Sequence, residues 1–277
     1  RSEFQPIMAV SGSSGFDIYS GSGPNKVFYR NISPAINTPN FEICVPVTEL
    51  QEYKGDKMKE WTIYFPLYNG VNKLHIGLEE GATILPAPDY LLNKPVVFYG
   101  SSITQGAYAS RPGNTYPACV CRWLDANFIN LGFGGGAKGE IEMAEIISSI
   151  DMSALVMDYD HNAPDVEYLA ATHELFFKHI RQAKPELPVI FLSRPDFDLN
   201  PGPGENMLRR EIIYTTYRNA VNSGDKNVYF IDGETLFGTD NRDMCTVDTT
   251  HPNDLGFLRM AKVIYPVLSK ALSLLKY

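Results

Sequence analysis

Two rhythms of apolar and polar residues divide this chain. Up to about residue 90, apolar positions come in short runs rich in aromatic and β-branched residues, and Gly, Pro, Asn and Ser interrupt them repeatedly. Such runs predict strands, because these side chains fit a pleated, half-buried surface and the interrupting residues favour turns. The clearest are Trp61-Thr62-Ile63-Tyr64-Phe65 and Lys73-Leu74-His75-Ile76-Gly77-Leu78, with a turn-rich connection over 66–72. Strands of this kind bury their inner faces most simply in an antiparallel sandwich, so residues 1–90 are expected to form a small all-β domain.

From residue 91 the rhythm changes. Strand-like runs at 96–99, 128–131, 154–159, 189–192 and 228–231 alternate with helical patterns. The plainest helix spans 166–183, where Leu169, Phe176, Ile180 and Ala183 fall on one face. Alternation of strand and helix predicts an α/β domain over 91–277, its mostly parallel sheet covered by helices on both sides. Pro86-Ala87-Pro88 marks the joint, and no internal repeat is visible.

Composition narrows the classes. With 277 residues and 44% hydrophobic content, the chain can bury a substantial core. No stretch approaches the roughly 20 apolar residues of a membrane span. A net charge of −8 without any basic run argues against a nucleic-acid partner, whose binding draws on clustered Lys and Arg. Cys44, Cys119, Cys121 and Cys245 are too few and too scattered for a disulfide framework, and Cys119-Val120-Cys121 is one residue short of C-x-x-C. The chain opens at Arg1 with neither an initiator Met nor a signal-like segment, which fits a trimmed start. Asn31-Ile32-Ser33 matches a glycosylation sequon, a triplet common by chance.

The chemistry is concentrated in a few polar residues. A hydroxyl nucleophile at neutral pH needs a histidine to take its proton, and that histidine needs a carboxylate to fix its tautomer. Asp248 and His251 lie in Asp248-Thr249-Thr250-His251, close enough for one short loop to present both. Ser102, in Gly100-Ser101-Ser102-Ile103-Thr104, follows the first strand of the α/β region. Gly135 follows the second strand and Asn162 the third. Open parallel sheets bind ligands at the carboxyl ends of their strands, so all of these residues could converge on one rim. There the backbone N–H groups of Ser102 and Gly135 and the side-chain amide of Asn162 are candidate donors to an oxyanion.

The succession Ser102, Gly135, Asn162 and His251, with Asp248 as the acid, resembles the marker residues of the SGNH (GDSL-type) esterase and acylhydrolase superfamily. Gly15-Phe16-Asp17-Ile18-Tyr19 resembles the Gly-x-Asp-Leu-Tyr motif of the β-sandwich domain that precedes the hydrolase in one bacterial subgroup. The usual Gly-Asp-Ser-Leu reads Gly100-Ser101-Ser102-Ile103 here, and Gly-x-Asn-Asp reads Asp160-His161-Asn162-Ala163. Ser101 is a rival nucleophile, ranked second because Ser102 aligns with the motif serine. The resemblance implies a three-layer, flavodoxin-like hydrolase domain behind a jelly-roll-like sandwich, and a serine esterase without cofactor or metal. It further implies short acyl esters, acetyl groups on carbohydrate among them, as substrates. The expected setting is extracytoplasmic, periplasmic or secreted, and no pattern specifies an oligomeric state. The competing readings are a glycan-binding protein on an inactive hydrolase-like scaffold, a lipid acylhydrolase or thioesterase, and a dinucleotide-dependent enzyme.

The last of these rests on Gly132-Phe133-Gly134-Gly135-Gly136-Ala137, which matches G-x-G-x-x-G/A but follows the second strand of the region rather than the first. Lys138 does not complete a P-loop. Tyr116, His161 and Arg194 fall in loops near the expected rim and are candidate substrate contacts. His75, His173 and His179 read as structural or surface residues, and the five histidines lack metal-ligand spacing. Cys245 reads as a small buried apolar residue.

Overall fold

The computed structural model describes residues 7–35, 58–196 and 204–273. Cys44 lies outside them. After a single helical turn, α1 (Val10–Ser13), the N-terminal region builds β1 (Phe16–Ser20), β2 (Val27–Ile32) and β3 (Trp61–Tyr64). They form one antiparallel sheet in the order β2-β1-β3, with Ile18 opposite Ile63 and a bulge at Ile18/Tyr19. The expected strand at 73–78 does not form. Its alternation is real, but Leu74, Ile76 and Leu78 are 45%, 62% and 51% exposed, and no strand pairs with it among the described residues. Side-chain alternation makes a strand only where a neighbour takes its backbone hydrogen bonds. A sandwich needs two sheets, and the described residues of this region contain one.

Asp17 and Tyr19 fasten this sheet to the rest of the molecule. Asp17 is completely buried, and its carboxylate accepts hydrogen bonds from Arg111 Nη1 (3.0 Å), the Gly113 N–H (2.8 Å) and Asn31 Nδ2 (2.8 Å). Arg111 also donates to the Tyr19 hydroxyl at 2.7 Å. A Cβ on Gly15 would meet the Ser11 carbonyl at 2.3 Å, so only glycine fits. The Asn31 amide nitrogen bonds Ser11 O and Asp17 Oδ1, an internal duty that explains the apparent sequon.

The remainder runs β4 (Leu92–Gly100), α2 (Ser102–Gln105), α3 (Tyr116–Leu124), β5 (Ala126–Gly132), α4 (Ile141–Ser149), β6 (Ala154–Asp158), α5 (Val166–Ala183), β7 (Val189–Leu192), α6 (Glu205–Asn222), β8 (Val228–Ile231) and α7 (Asp254–Ala271). Its five strands are all parallel, in the order β5-β4-β6-β7-β8. Successive residues of a strand face opposite sides, and β4 obeys this rule. Val96 and Phe98 join a core with α3 and α7, whereas Val97 and Tyr99 join another with α4, α5 and α6. Three layers result. The chain reverses direction across the sheet at β4, and Gly100 of β4 lies beside Asp158 of β6, so the crevice at this reversal opens between the loops that follow them.

Candidate active site

The turn after β4 is built for close approach. A Cβ on Gly100 would fall 2.1 Å from Thr104 Oγ1 and 2.5 Å from the Asp158 carbonyl oxygen. The Ser101 N–H bonds that same carbonyl at 3.0 Å, tying the turn to β6. Ser101 and Ser102 then part ways. Ser101 is completely buried and its hydroxyl caps α2, accepting the Ile103 N–H at 3.2 Å. Ser102 points outward, and its Oγ lies 2.9 Å from His251 Nε2.

His251 is delivered by a tight turn closed by a bridge between Thr246 and Pro252. Within it, Asp248 Oδ1 accepts the backbone N–H groups of Thr250 (3.1 Å) and His251 (2.7 Å), while Oδ2 lies 2.7 Å from His251 Nδ1. A carboxylate only accepts, so Nδ1 carries the hydrogen and Nε2 is left free to accept from Ser102. Burial works against the Asp248 charge, but the bonds from the His251 backbone and ring outweigh it and hold this carboxyl below its ordinary range. Asn253, which caps α7 by accepting the Leu255 and Gly256 N–H groups, anchors the turn from behind. The ring of Tyr108 stands edge-on to the imidazole with centroids 5.0 Å apart.

The candidate oxyanion donors differ in readiness. The Ser102 N–H, in the first turn of α2, has no acceptor among the described residues. The Gly135 N–H donates to Asn162 Oδ1 at 3.2 Å, and Asn162 Nδ2 donates to the Phe133 carbonyl at 2.9 Å. Gly135 adopts φ 71°, which favours glycine, and nothing lies within 4 Å of where its Cβ would be. Gln105 steadies the same loop, accepting the Gly134 N–H at 2.8 Å while donating to the Leu67 carbonyl of the N-terminal region at 3.1 Å.

Residues 93–269 match the GDSL-like lipase/acylhydrolase family, and residues 2–84 match the N-terminus of SGNH-hydrolase-type esterases. The chain belongs to the GDSL-like lipase/acylhydrolase family. It is a carboxylic ester hydrolase. A GDSL-like lipase from Bacteroides ovatus ATCC 8483 shares 33% identity and a TM-score of 0.84, over 98% of this chain and 79% of that one. The salicylyl-acyltransferase SsfX3 from a tetracycline biosynthetic pathway (16% identity, TM-score 0.64, 94% of this chain and 80% of that one) shares the fold. So does a family two carbohydrate esterase from Clostridium thermocellum, solved with cellohexaose (16% identity, TM-score 0.60, 96% and 88%). No curated protein matches the chain.

In this GDSL-like hydrolase the three expected substrate contacts turn out to be internal supports. Tyr116 is completely buried, and its hydroxyl lies 2.9 Å from Thr104 Oγ1 and 3.0 Å from Asp158 Oδ2, beneath the turn after β4. Burial first, then the neighbouring Asp160 carboxylate, pushes the Asp158 carboxyl up to about 7. His161 sits between carboxylates, with Nε2 2.9 Å from Asp196 Oδ1 and Nδ1 3.3 Å from Asp160 Oδ1. Burial disfavours its charge, but Asp196 and Asp160 overcome this and raise the imidazole to about 9. Arg194 grips Asp196 with two hydrogen bonds of 2.8 and 2.7 Å. Each of these side chains spends its hydrogen bonds on a neighbouring hydroxyl or carboxylate of the protein. All three were expected in loops near the rim, but Tyr116 opens α3, and the partners Asp158 of Tyr116 and Asp196 of His161, distant in sequence, gave no sign in the pattern.

The glycines of 132–136 also have local duties. A Cβ on Gly132 would strike the Gln105 backbone nitrogen at 2.1 Å, so this glycine lets β5 approach α2. α4 starts only at Ile141, so the glycine run does not open directly into a helix as a dinucleotide fingerprint does. Sequence reasoning missed Tyr108 and Gln105. Tyr108 could have been noticed only through its backbone, φ 65°, which no sequence pattern announces. A depression of about 820 Å³ lies between α5 and α6 and contains none of the candidate catalytic residues.

Proposed function

We propose that this hydrolase cleaves short-acyl esters, acetyl groups on carbohydrate in particular, with Ser102 as nucleophile, His251 as general base and Asp248 holding the imidazole. The carrying observation is the continuous hydrogen-bonded line from Ser102 Oγ through His251 to Asp248. As Ser102 Oγ bonds the carbonyl carbon, its proton passes to Nε2 and the carbonyl electron pair moves onto oxygen. Collapse of this adduct breaks the bond to the alcohol, which leaves with the proton from Nε2. Water then attacks acyl-Ser102 by the same route, releasing the acid and restoring the hydroxyl.

The negative oxygen is received first by the Ser102 N–H. Asn162 Nδ2 has a second hydrogen to offer. The Gly135 N–H is held only by a neutral amide oxygen at 3.2 Å, and a charged acceptor forms the stronger bond. A small acyl group suits a serine turn packed on a filled core, to which the completely buried Ile103, Tyr116 and Phe98 belong. The fold-sharing carbohydrate esterase makes sugar esters the first substrates to try. The division into residues 1–90 and 91–277 belongs to the same proposal, the first part being an accessory held by Asp17.

Hydrolysis of acetylated sugars and of p-nitrophenyl esters from acetate to octanoate tests the reading. Acetyl esters turning over fastest, and Ser102→Ala abolishing turnover, are expected. Glycan binding without turnover of any ester would instead favour a binding protein on a hydrolase scaffold. A preference for long acyl chains or thioesters would make it a lipid acylhydrolase or thioesterase.

A further inference from the structure

Beside His251 lies a second, smaller depression of about 400 Å³, walled by Tyr108, Met244 and Leu255 and floored by Ser110, Asn253 and Asp254. Its polar floor is fully engaged within the protein. Asp254 accepts the Ser110 N–H (2.9 Å), the Ser110 hydroxyl (2.5 Å) and Asn114 Nδ2 (2.9 Å). Asn253 donates to the Met244 carbonyl at 2.7 Å and caps α7 with its oxygen. What the depression offers a ligand is therefore the exposed Met244, the half-buried Leu255, and the ring and hydroxyl of Tyr108. That hydroxyl has no hydrogen-bond partner among the described residues.

Position gives this surface its meaning. Tyr108 is shared between the depression and the imidazole, and its backbone sits at φ 65°, a left-handed conformation a bulky residue rarely adopts. On the proposed mechanism, the atom that must come to His251 Nε2 after Ser102 is the oxygen of the departing alcohol. A group attached to that oxygen extends past the imidazole toward Tyr108. The candidate oxyanion donors Gly135 and Asn162 lie instead with the loops after β5 and β6.

We propose that this depression is the alcohol subsite, receiving the leaving group of the ester, and that it fits a ring-shaped alcohol with an apolar face, such as a sugar, by shape rather than by hydrogen bonds. The inference rests on the proposed roles of Ser102 and His251. One consequence is loose selectivity. With a single free hydroxyl in its wall, the subsite discriminates poorly between sugars that differ only in hydroxyl configuration.

The test compares kcat/KM of the full-length protein and its Met244→Asp variant on two ester series. Met244 is 59% exposed, so the substitution spares the core. In the first series the acid is acetic and the alcohol grows from methanol to cyclohexanol to a glucose acetate. In the second the alcohol is methanol and the acid grows from acetic to hexanoic. Met244→Asp is expected to lower kcat/KM about tenfold more for cyclohexyl and glucose acetates than for methyl acetate. Methyl hexanoate and methyl acetate should move together. Where hydrolysis of the common acetyl-enzyme limits turnover, kcat should change less than KM, because the alcohol has already left.

Loss that follows acid length would make the depression an acyl site, and equal loss on every ester would make it no subsite at all. Either result overturns the proposal. Met244→Ala, a milder change, should rank the substrates in the same order. Ser102→Ala separates the two levels of inference. If it still turns over ester, the mechanism itself is wrong. If it is inactive while the two series fail to split, only the subsite assignment falls.

Discussion

His251 and His161 both hold a ring nitrogen within 2.9 Å of a carboxylate, and both sit on loops at the same edge of the sheet. Their second nitrogens decide what each can do. Nε2 of His251 faces the Ser102 hydroxyl, whose proton it is placed to accept. Nδ1 of His161 faces Asp160, so the ring lies between two carboxylates and is held as a cation, with its pKa raised to about 9 despite burial. A base that is already protonated at neutral pH cannot act as one. Residue type and a nearby acid are thus a poor guide to catalysis. On the proposed mechanism, the partner on the far side of the ring separates the histidine that takes a proton from the one that only holds its neighbours in place.

The contrast can be broken most sharply at its reactive end. His251→Gln is expected to lower kcat/KM for an acetyl ester by about 10⁴-fold or more, with the unfolding midpoint in urea nearly unchanged. Substantial residual activity would remove His251 from the mechanism. Next in size, Asn162→Ala should reduce kcat by about 10²- to 10³-fold while KM moves little, because a bond to developing charge is strongest in the transition state. An unchanged kcat would leave the Gly135 and Ser102 N–H groups as the only oxyanion donors.

At the structural end, His161→Gln leaves Asp160 without its cation and should cost about 3 kcal/mol of stability in urea titration. The wild-type protein should show the same pair as a pH dependence. A histidine raised to about 9 when folded binds its proton more tightly than the unfolded chain does, near 6.5. Its stabilisation is complete below about pH 6.5 and is lost as pH rises through 9. Asp158, raised to about 7, adds to the fall up to about pH 8, and the buried Cys121 thiol, raised by burial, adds to it near pH 9, so the part of the fall between pH 7 and 9 that His161→Gln removes reports His161. The slope should become clearly shallower in His161→Gln. The smallest effect belongs to Ser101→Ala, which removes the cap of α2 at about 1 kcal/mol. If that variant instead abolishes turnover as Ser102→Ala is expected to, the nucleophile has been assigned to the wrong serine.

Much of the scaffold was legible because burial imposes a period. The expected strands 189–192 and 228–231 coincide with β7 and β8, and the helix expected at 166–183 coincides with α5. On that helix Leu169, Phe176 and Ile180 are buried as expected, while Ala183, at its end, is exposed. α6 escaped notice because its inward face is largely polar. Arg209 donates to the Asp160 and Ala163 carbonyls, and Thr216 meets the buried His173 at 2.9 Å. Residues 73–78 failed in the opposite direction, displaying strand periodicity without a partner.

By itself the sequence determined where apolar residues recur and which polar residues follow each strand, and those two facts place Ser102, Gly135, Asn162, Asp248 and His251 at one edge of a parallel sheet. Tertiary structure alone decided how the polar residues at that edge divide. It turned Ser101 inward and Ser102 outward, enclosed Tyr116, His161 and Arg194 among carboxylates, and set Tyr108 against the imidazole. The reason is physical. Apolar burial is read one residue at a time and repeats along the chain, whereas the fate of a polar side chain depends on which donor or acceptor reaches it, and here those partners come from elsewhere in the sequence.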